Sequence, residues 1–150
     1  MPSKHLVLLS LLLPTVAFAE DSRQIYMLET ALAPRYPILV AETWARAAKN
    51  RNGAVQYMMM CPDLQKKHLS NLKDLNWVTG VSSPWIANYK IIVQTKKSAA
   101  SQFTIEYQLA DGSGKAGNSI DHISVIPAQN SSQQWCINQF QYLSPSDGAH

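Results

Sequence analysis

The sequence predicts an α+β domain in which helices come first and an antiparallel sheet follows. Three observations carry this prediction. Apolar residues between Ile38 and Leu75 recur at helical spacing. From Tyr89 onward the pattern changes to β-branched runs and period-two alternation. No helical stretch separates those later runs, so they join through turns rather than through the crossovers of a parallel sheet.

The chain opens with Lys4 and His5, then the apolar run Leu6–Leu13, then Pro14, then the small residues of Ala17-Phe18-Ala19. A positive start, a short apolar middle and a small-x-small end make a secretory signal peptide over residues 1–19, with cleavage expected after Ala19. A membrane-spanning helix needs about 20 apolar residues. This run is shorter and broken by Pro14, and no cysteine follows for a lipid, so no membrane anchor is expected after processing. The mature chain is expected in the periplasm or the external medium, since one signal serves both. The formal net charge is +3, and losing Lys4 lowers it by one. The basic residues are scattered, so neither nucleic acid nor an anionic membrane is an expected partner.

Residues 20–36 read as a polar lead-in with some helical character, broken by Ala33-Pro34-Arg35-Tyr36-Pro37. A single domain is expected over 37–143, with a frayed tail over 144–150. Pro37 suits the first position of a helix, where its missing N–H costs nothing. From there to Lys49, Ile38, Ala41, Trp44, Ala45 and Ala48 share one face. Asn50-Arg51-Asn52-Gly53 ends that helix. A second begins at Ala54 and runs into Met58-Met59-Met60, and Pro62-Asp63 restarts a third along Leu64, His68, Leu72 and Leu75. Strands are expected at Tyr89–Thr95, Gln102–Leu109, Ser119–Ile126 and Gln134–Leu143. In the second, Phe103, Ile105, Tyr107 and Leu109 fall on one face, with Thr104, Glu106 and Gln108 on the other. Asp111–Asn118 reads as a flexible hairpin loop. Asn130-Ser131-Ser132 fits a glycosylation acceptor pattern.

Two cysteines remain after processing, Cys61 and Cys136. An oxidising compartment and an even count favour a disulfide between them. Two buried free thiols are the alternative. No spacing suggests zinc, and consecutive methionines on a helix diverge too widely to converge on copper. No metal and no cofactor is expected.

This order of elements resembles the cone-shaped, cystatin-like superfamily that includes nuclear transport factor two, ketosteroid isomerase and scytalone dehydratase. The resemblance rests on an opening helix at Pro37–Lys49, helices through Asn71, and strands from Tyr89 to Leu143. The stretch Thr79–Trp85, Tyr89 and the closing Trp135-Cys136-Ile137 resemble small exported bacterial members. The resemblance implies a cavity between helices and a curved sheet. A catalytic carboxylate in such a cavity falls to Glu106 or Asp121. His122 is a third candidate, although Asp121 and His122, as strand neighbours, point to opposite faces. A solvated strand face is the ordinary reading for such acids. Trp44, Tyr57, His68, Trp85 and Trp135 are candidates to line a ligand pocket, or to fill the core. The expected function is an exported accessory protein binding a small apolar molecule or a peptide. The alternatives are a pocket enzyme transferring protons through a carboxylate, in the manner of an isomerase or dehydratase, and a domain that dimerises through its sheet.

Overall fold

The computed structural model describes residues 17–97, 99–129 and 134–143. The apolar run before Pro14, the Asn130 triplet and the tail from Ser144 lie outside them. The described chain is α+β: helices α1 (Ala17–Leu32), α2 (Pro37–Lys49), α3 (Gly53–Met59) and α4 (Pro62–Asp74), then strands β1 (Trp85–Lys97), β2 (Ala100–Asp111), β3 (Gly114–Pro127) and β4 (Trp135–Leu143). The expected cleavage point after Ala19 falls in the first turn of α1. The lead-in is therefore a helix, and it leaves Ile25, Tyr26, Met27, Leu28 and Leu32 exposed.

Pro37 sits at the start of α2, and Arg46 and Lys49 occupy its last turn, where they complement the partial negative charge of the helix end. Val40, Ala41, Trp44, Ala45 and Ala47 are its buried residues. Arg51 takes a left-handed backbone at φ 56° to turn the chain into α3. The Asn52 side chain accepts a hydrogen bond from the Val55 N–H (3.1 Å), capping α3. Gly53 is needed there because a Cβ would lie 2.8 Å from the Trp77 carbonyl oxygen. Pro62 opens α4 and Asp63 lies in its first turn. Leu72 is buried in α4, whereas Leu75, expected to complete the leucine stripe, is 47% exposed just beyond the helix end.

The sheet has the antiparallel order β1-β2-β3-β4. Phe103, Ile105, Tyr107 and Leu109 face the helices and are buried, as their alternation predicts. They join Ile123 and Val125 of β3 and Ile137 of β4 in one core with Met59 and Met60. The stretch expected as a flexible hairpin loop is mostly strand: Asp111 pairs with Gly114, leaving Gly112-Ser113 as the turn. The Asp111 carboxylate accepts from the Ser113 backbone N–H at 2.8 Å and from the Ser113 hydroxyl, which pulls its pKa down and closes the turn. A register shift between Leu109 and Ala110 lets the longer strand through, with Gly117 at φ 115° beside it.

Helices cover the sheet unevenly. α2 touches all four strands, while α3 and α4 both pack at β4. At that edge the Cys61 N–H donates to the Ile137 carbonyl (2.8 Å), and Met60 bridges Ile137 in parallel fashion. Cys61 and Cys136 are disulfide-bonded, with Cα atoms 5.0 Å apart. At the opposite edge, β1 pairs with β2 and with no other described strand. It carries two register irregularities, between Ile86 and Asn88 and between Ile91 and Val93.

Candidate functional site

The buried polar feature of the core is a carboxyl held by two donors. Ser119, Asp121, Ile123 and Val125 share the helix-facing side of β3, so period-two geometry turns Asp121 inward. There Oδ2 accepts from the Trp44 indole N–H at 2.9 Å and from the Tyr107 hydroxyl at 2.9 Å. Burial pushes the Asp121 pKa up, and the two hydrogen bonds pull it part of the way back. Burial, then the nearby Asp121 charge, pushes the Tyr107 hydroxyl well above its ordinary value. Asp121 is 5% exposed, so this carboxyl is enclosed by its own partners. It ties α2 to β2 and β3 and thereby fixes the roll of α2 over the sheet.

With Trp44 turned inward, the neighbouring face of α2 is turned toward β1. Ile38, Leu39, Glu42, Thr43 and Arg46 form one wall of a groove of about 400 Å³, and Tyr89 and Ile91 of β1 form the other. The groove lies where, among the described helices, α2 is the one that packs on β1. Its floor is aliphatic and aromatic. Glu42 and Arg46 line it as exposed charges, and neither forms an ion pair with another described residue. Apolar surface, one carboxylate, one guanidinium and a strand edge thus lie side by side.

The outer face of the sheet is different. Gln102, Thr104, His122, Ser124, Gln139 and Gln141 line a shallow recess of about 230 Å³. His122 shares a hydrogen bond with the Thr104 hydroxyl (3.0 Å). Glu106 is engaged as well: it accepts from the Asn118 amide (2.7 Å) and pairs with Lys90 (2.9 Å).

The three candidate catalytic residues therefore do not converge, with Asp121 in the core and Glu106 and His122 on the outer face. Of the five candidate ligand residues, Trp44 and His68 meet at Phe140, and none of the five lines either recess. Trp44 is core and stacks at 4.9 Å on Phe140. Tyr57 meets Trp77 edge-on at 5.4 Å. His68 packs 5.1 Å from Phe140, and burial, then the Lys67 charge, holds its pKa low. Trp85 is 43% exposed at the start of β1. Trp135 donates its indole N–H to the Arg35 carbonyl at 3.2 Å. Sequence reasoning missed Leu39, Glu42, Thr43 and Arg46, which read as the solvated side of an amphipathic helix. The available signal was Tyr89 and Ile91, two residues apart on a strand and facing that helix.

No group of three or more His, Cys, Asp or Glu among the described residues is placed to hold a metal. No helix among them is long and apolar enough to cross a membrane. No family model matches the chain. A search of curated proteins finds no match either.

Proposed function

We propose that this is an exported accessory protein that binds an extended peptide segment in the groove between α2 and β1. The observation that carries the reading is the pairing of an open strand edge with a helix-walled, partly apolar groove beside it. An extended peptide laid along β1 satisfies backbone groups that lack a strand partner, while its alternate side chains enter the groove. An enclosed site for a small molecule has less support, because none of the residues proposed for it lines a recess and Trp44 is packed in the core. Proton transfer by Asp121 also has less support, since both donors already occupy Oδ2. The disulfide is consistent with an oxidising compartment, and export to the periplasm or medium fits the N-terminal pattern. The order of helices and strands supports kinship with the cystatin-like superfamily, which by itself leaves function open.

The test is amide NMR of the mature chain titrated with a pool of N-acetylated heptapeptides. Shifts are expected along β1 and at residues 38–46 of α2. Leu39→Asp, which puts a charge on the apolar wall, is expected to weaken them. Shifts confined to Thr104, His122 and Gln141 would move the site to the outer face and end this reading.

A further inference from the structure

The groove is not chemically uniform along its length, and the order of its chemistry reads out a ligand pattern. Along α2 the wall runs from Ile38 and Leu39, through Glu42 and Thr43, to Arg46. Glu42 and Arg46 are four residues apart, so the helix separates them by about 6 Å of rise. An extended chain advances about 6.6–6.8 Å every two residues, and those two side chains point the same way. The opposite wall repeats this spacing, since Tyr89 and Ile91 are also two residues apart on β1. A strand laid alongside α2 would therefore present three successive helix-facing positions to an apolar patch, a carboxylate and a guanidinium in turn.

Resting on the peptide-binding reading above, we infer that the groove selects an extended segment whose alternate side chains run apolar, basic, acidic in the direction of α2. The apolar side chain sits against Ile38 and Leu39. The base pairs with Glu42 and the acid with Arg46. Both protein charges are available for this, because the Glu42–Arg46 pair that helical spacing allows is not made and no other described residue ion-pairs with either. A guanidinium presents a planar fork to a carboxylate, so the Arg46 position is the more selective of the two. Lys90, between Tyr89 and Ile91 on β1, points to the outer face, where it pairs with Glu106, and does not compete.

Four synthetic peptides test the order: Ac-Ser-Leu-Thr-Lys-Thr-Glu-Ser-NH2, its reversed sequence, the version with Lys and Glu exchanged, and a version with Gln at both charged positions. Each is titrated into the 15N-labelled mature chain at low salt. The peptide in the matching direction is expected to bind about tenfold more tightly than the exchanged one, the scale of two exposed ion pairs turned from attraction to repulsion. The preference is expected to shrink at high salt. The double variant Glu42→Arg, Arg46→Glu alters only exposed side chains, and it is expected to reverse the preference while its melting temperature falls by a few degrees at most, through the lost cation at the end of α2. If all four peptides shift the β1 amides equally and the double variant changes nothing, the groove binds peptide without reading charge and the inference fails alone. If none shifts the β1 amides, peptide binding at this edge fails with it. If sedimentation shows a dimer whose β1 amides are already protected from exchange, a second copy of the chain fills the edge and both are overturned.

Discussion

The two edges of the sheet are finished in opposite ways. At β4 the chain spends two devices on one short stretch: the Met60–Ile137 bridge, which includes the Cys61 N–H to Ile137 carbonyl hydrogen bond, and the Cys61–Cys136 disulfide. Two helices also pack there. At β1, among the described residues, α2 is the helix that packs across, and one side of the strand has no strand partner. Unpaired edges are a liability that proteins blunt with charges, irregularities or covering segments. β1 has two irregularities and an exposed Lys90, but no covering segment among the described residues. The Cys136–Ile137 end of β4 is bridged and crosslinked, whereas among the described residues β1 is left open, with the groove beside it.

Removing the devices at β4 has the largest expected cost. The disulfide spans a sequence separation of 75, for which chain entropy predicts about 4 kcal/mol of stabilisation. Urea unfolding of the Cys61→Ala, Cys136→Ala chain should show a loss of that order. A loss under about 1 kcal/mol would mean that packing and the Ile137 hydrogen bond close this edge without the crosslink. Ile137 is fully buried, and Ile137→Ala is expected to cost about 3 kcal/mol through lost burial and the cavity left behind.

The next effect concerns the tie that orients α2 between the two edges. Asp121→Leu leaves the Trp44 N–H and the Tyr107 O–H without an acceptor, at an expected cost of about 3 kcal/mol. Asp121→Asn keeps one acceptor oxygen and is expected to retain most of the stability. Both variants also remove a titrating carboxyl, so both differ from the parent in pH dependence. In the unfolded chain an Asp carboxyl titrates near about 4, whereas burial raises it in the folded protein. The folded state therefore holds its proton to higher pH. Stability is greatest below the unfolded value, falls as pH rises toward the folded value, and levels off above it. Asp121→Asn should remove that decline from a series of unfolding curves. An unchanged slope would assign the pH dependence to another group.

Much of the closed half was legible in the sequence, because periodicity and compartment govern it. Alternation put Phe103, Ile105, Tyr107 and Leu109 on the core face, Pro37 marked the start of α2, and export chemistry favoured joining Cys61 to Cys136. The inward turn of Asp121 was also readable in principle. It lies in phase with Ser119, Ile123 and Val125, and a buried Trp N–H or Tyr O–H needs an acceptor. What periodicity does not encode is which partners meet across the layers. Trp44 and Asp121 are 77 residues apart, and their meeting sets the roll of α2. The groove depends on that roll and on α3 and α4 both packing at β4. Its wall residues therefore looked like solvent-facing positions, whereas Trp44 and His68 meet at Phe140, away from the groove.

The smallest expected effect gives the sharpest test of the difference between the edges. Leu39 and Ile137 are both branched aliphatic residues, and truncation to alanine removes similar apolar mass from each. Ile137 is enclosed on every side, so its loss leaves a void that neighbours fill only partly. Leu39 is 38% exposed on the wall of an open groove. Truncation there enlarges a space that solvent already enters, so no dry cavity forms, and only part of the side chain's transfer free energy is lost. The expected cost of Leu39→Ala is about 0.5 kcal/mol, in the range of surface substitutions. Its effect on peptide affinity should be proportionally larger, because a bound strand would cover the apolar surface that the unliganded protein leaves wet. Unfolding curves and peptide titrations on the same variant separate these two effects. If Leu39→Ala costs as much stability as Ile137→Ala, the groove is shut in solution and β1 is closed as tightly as β4.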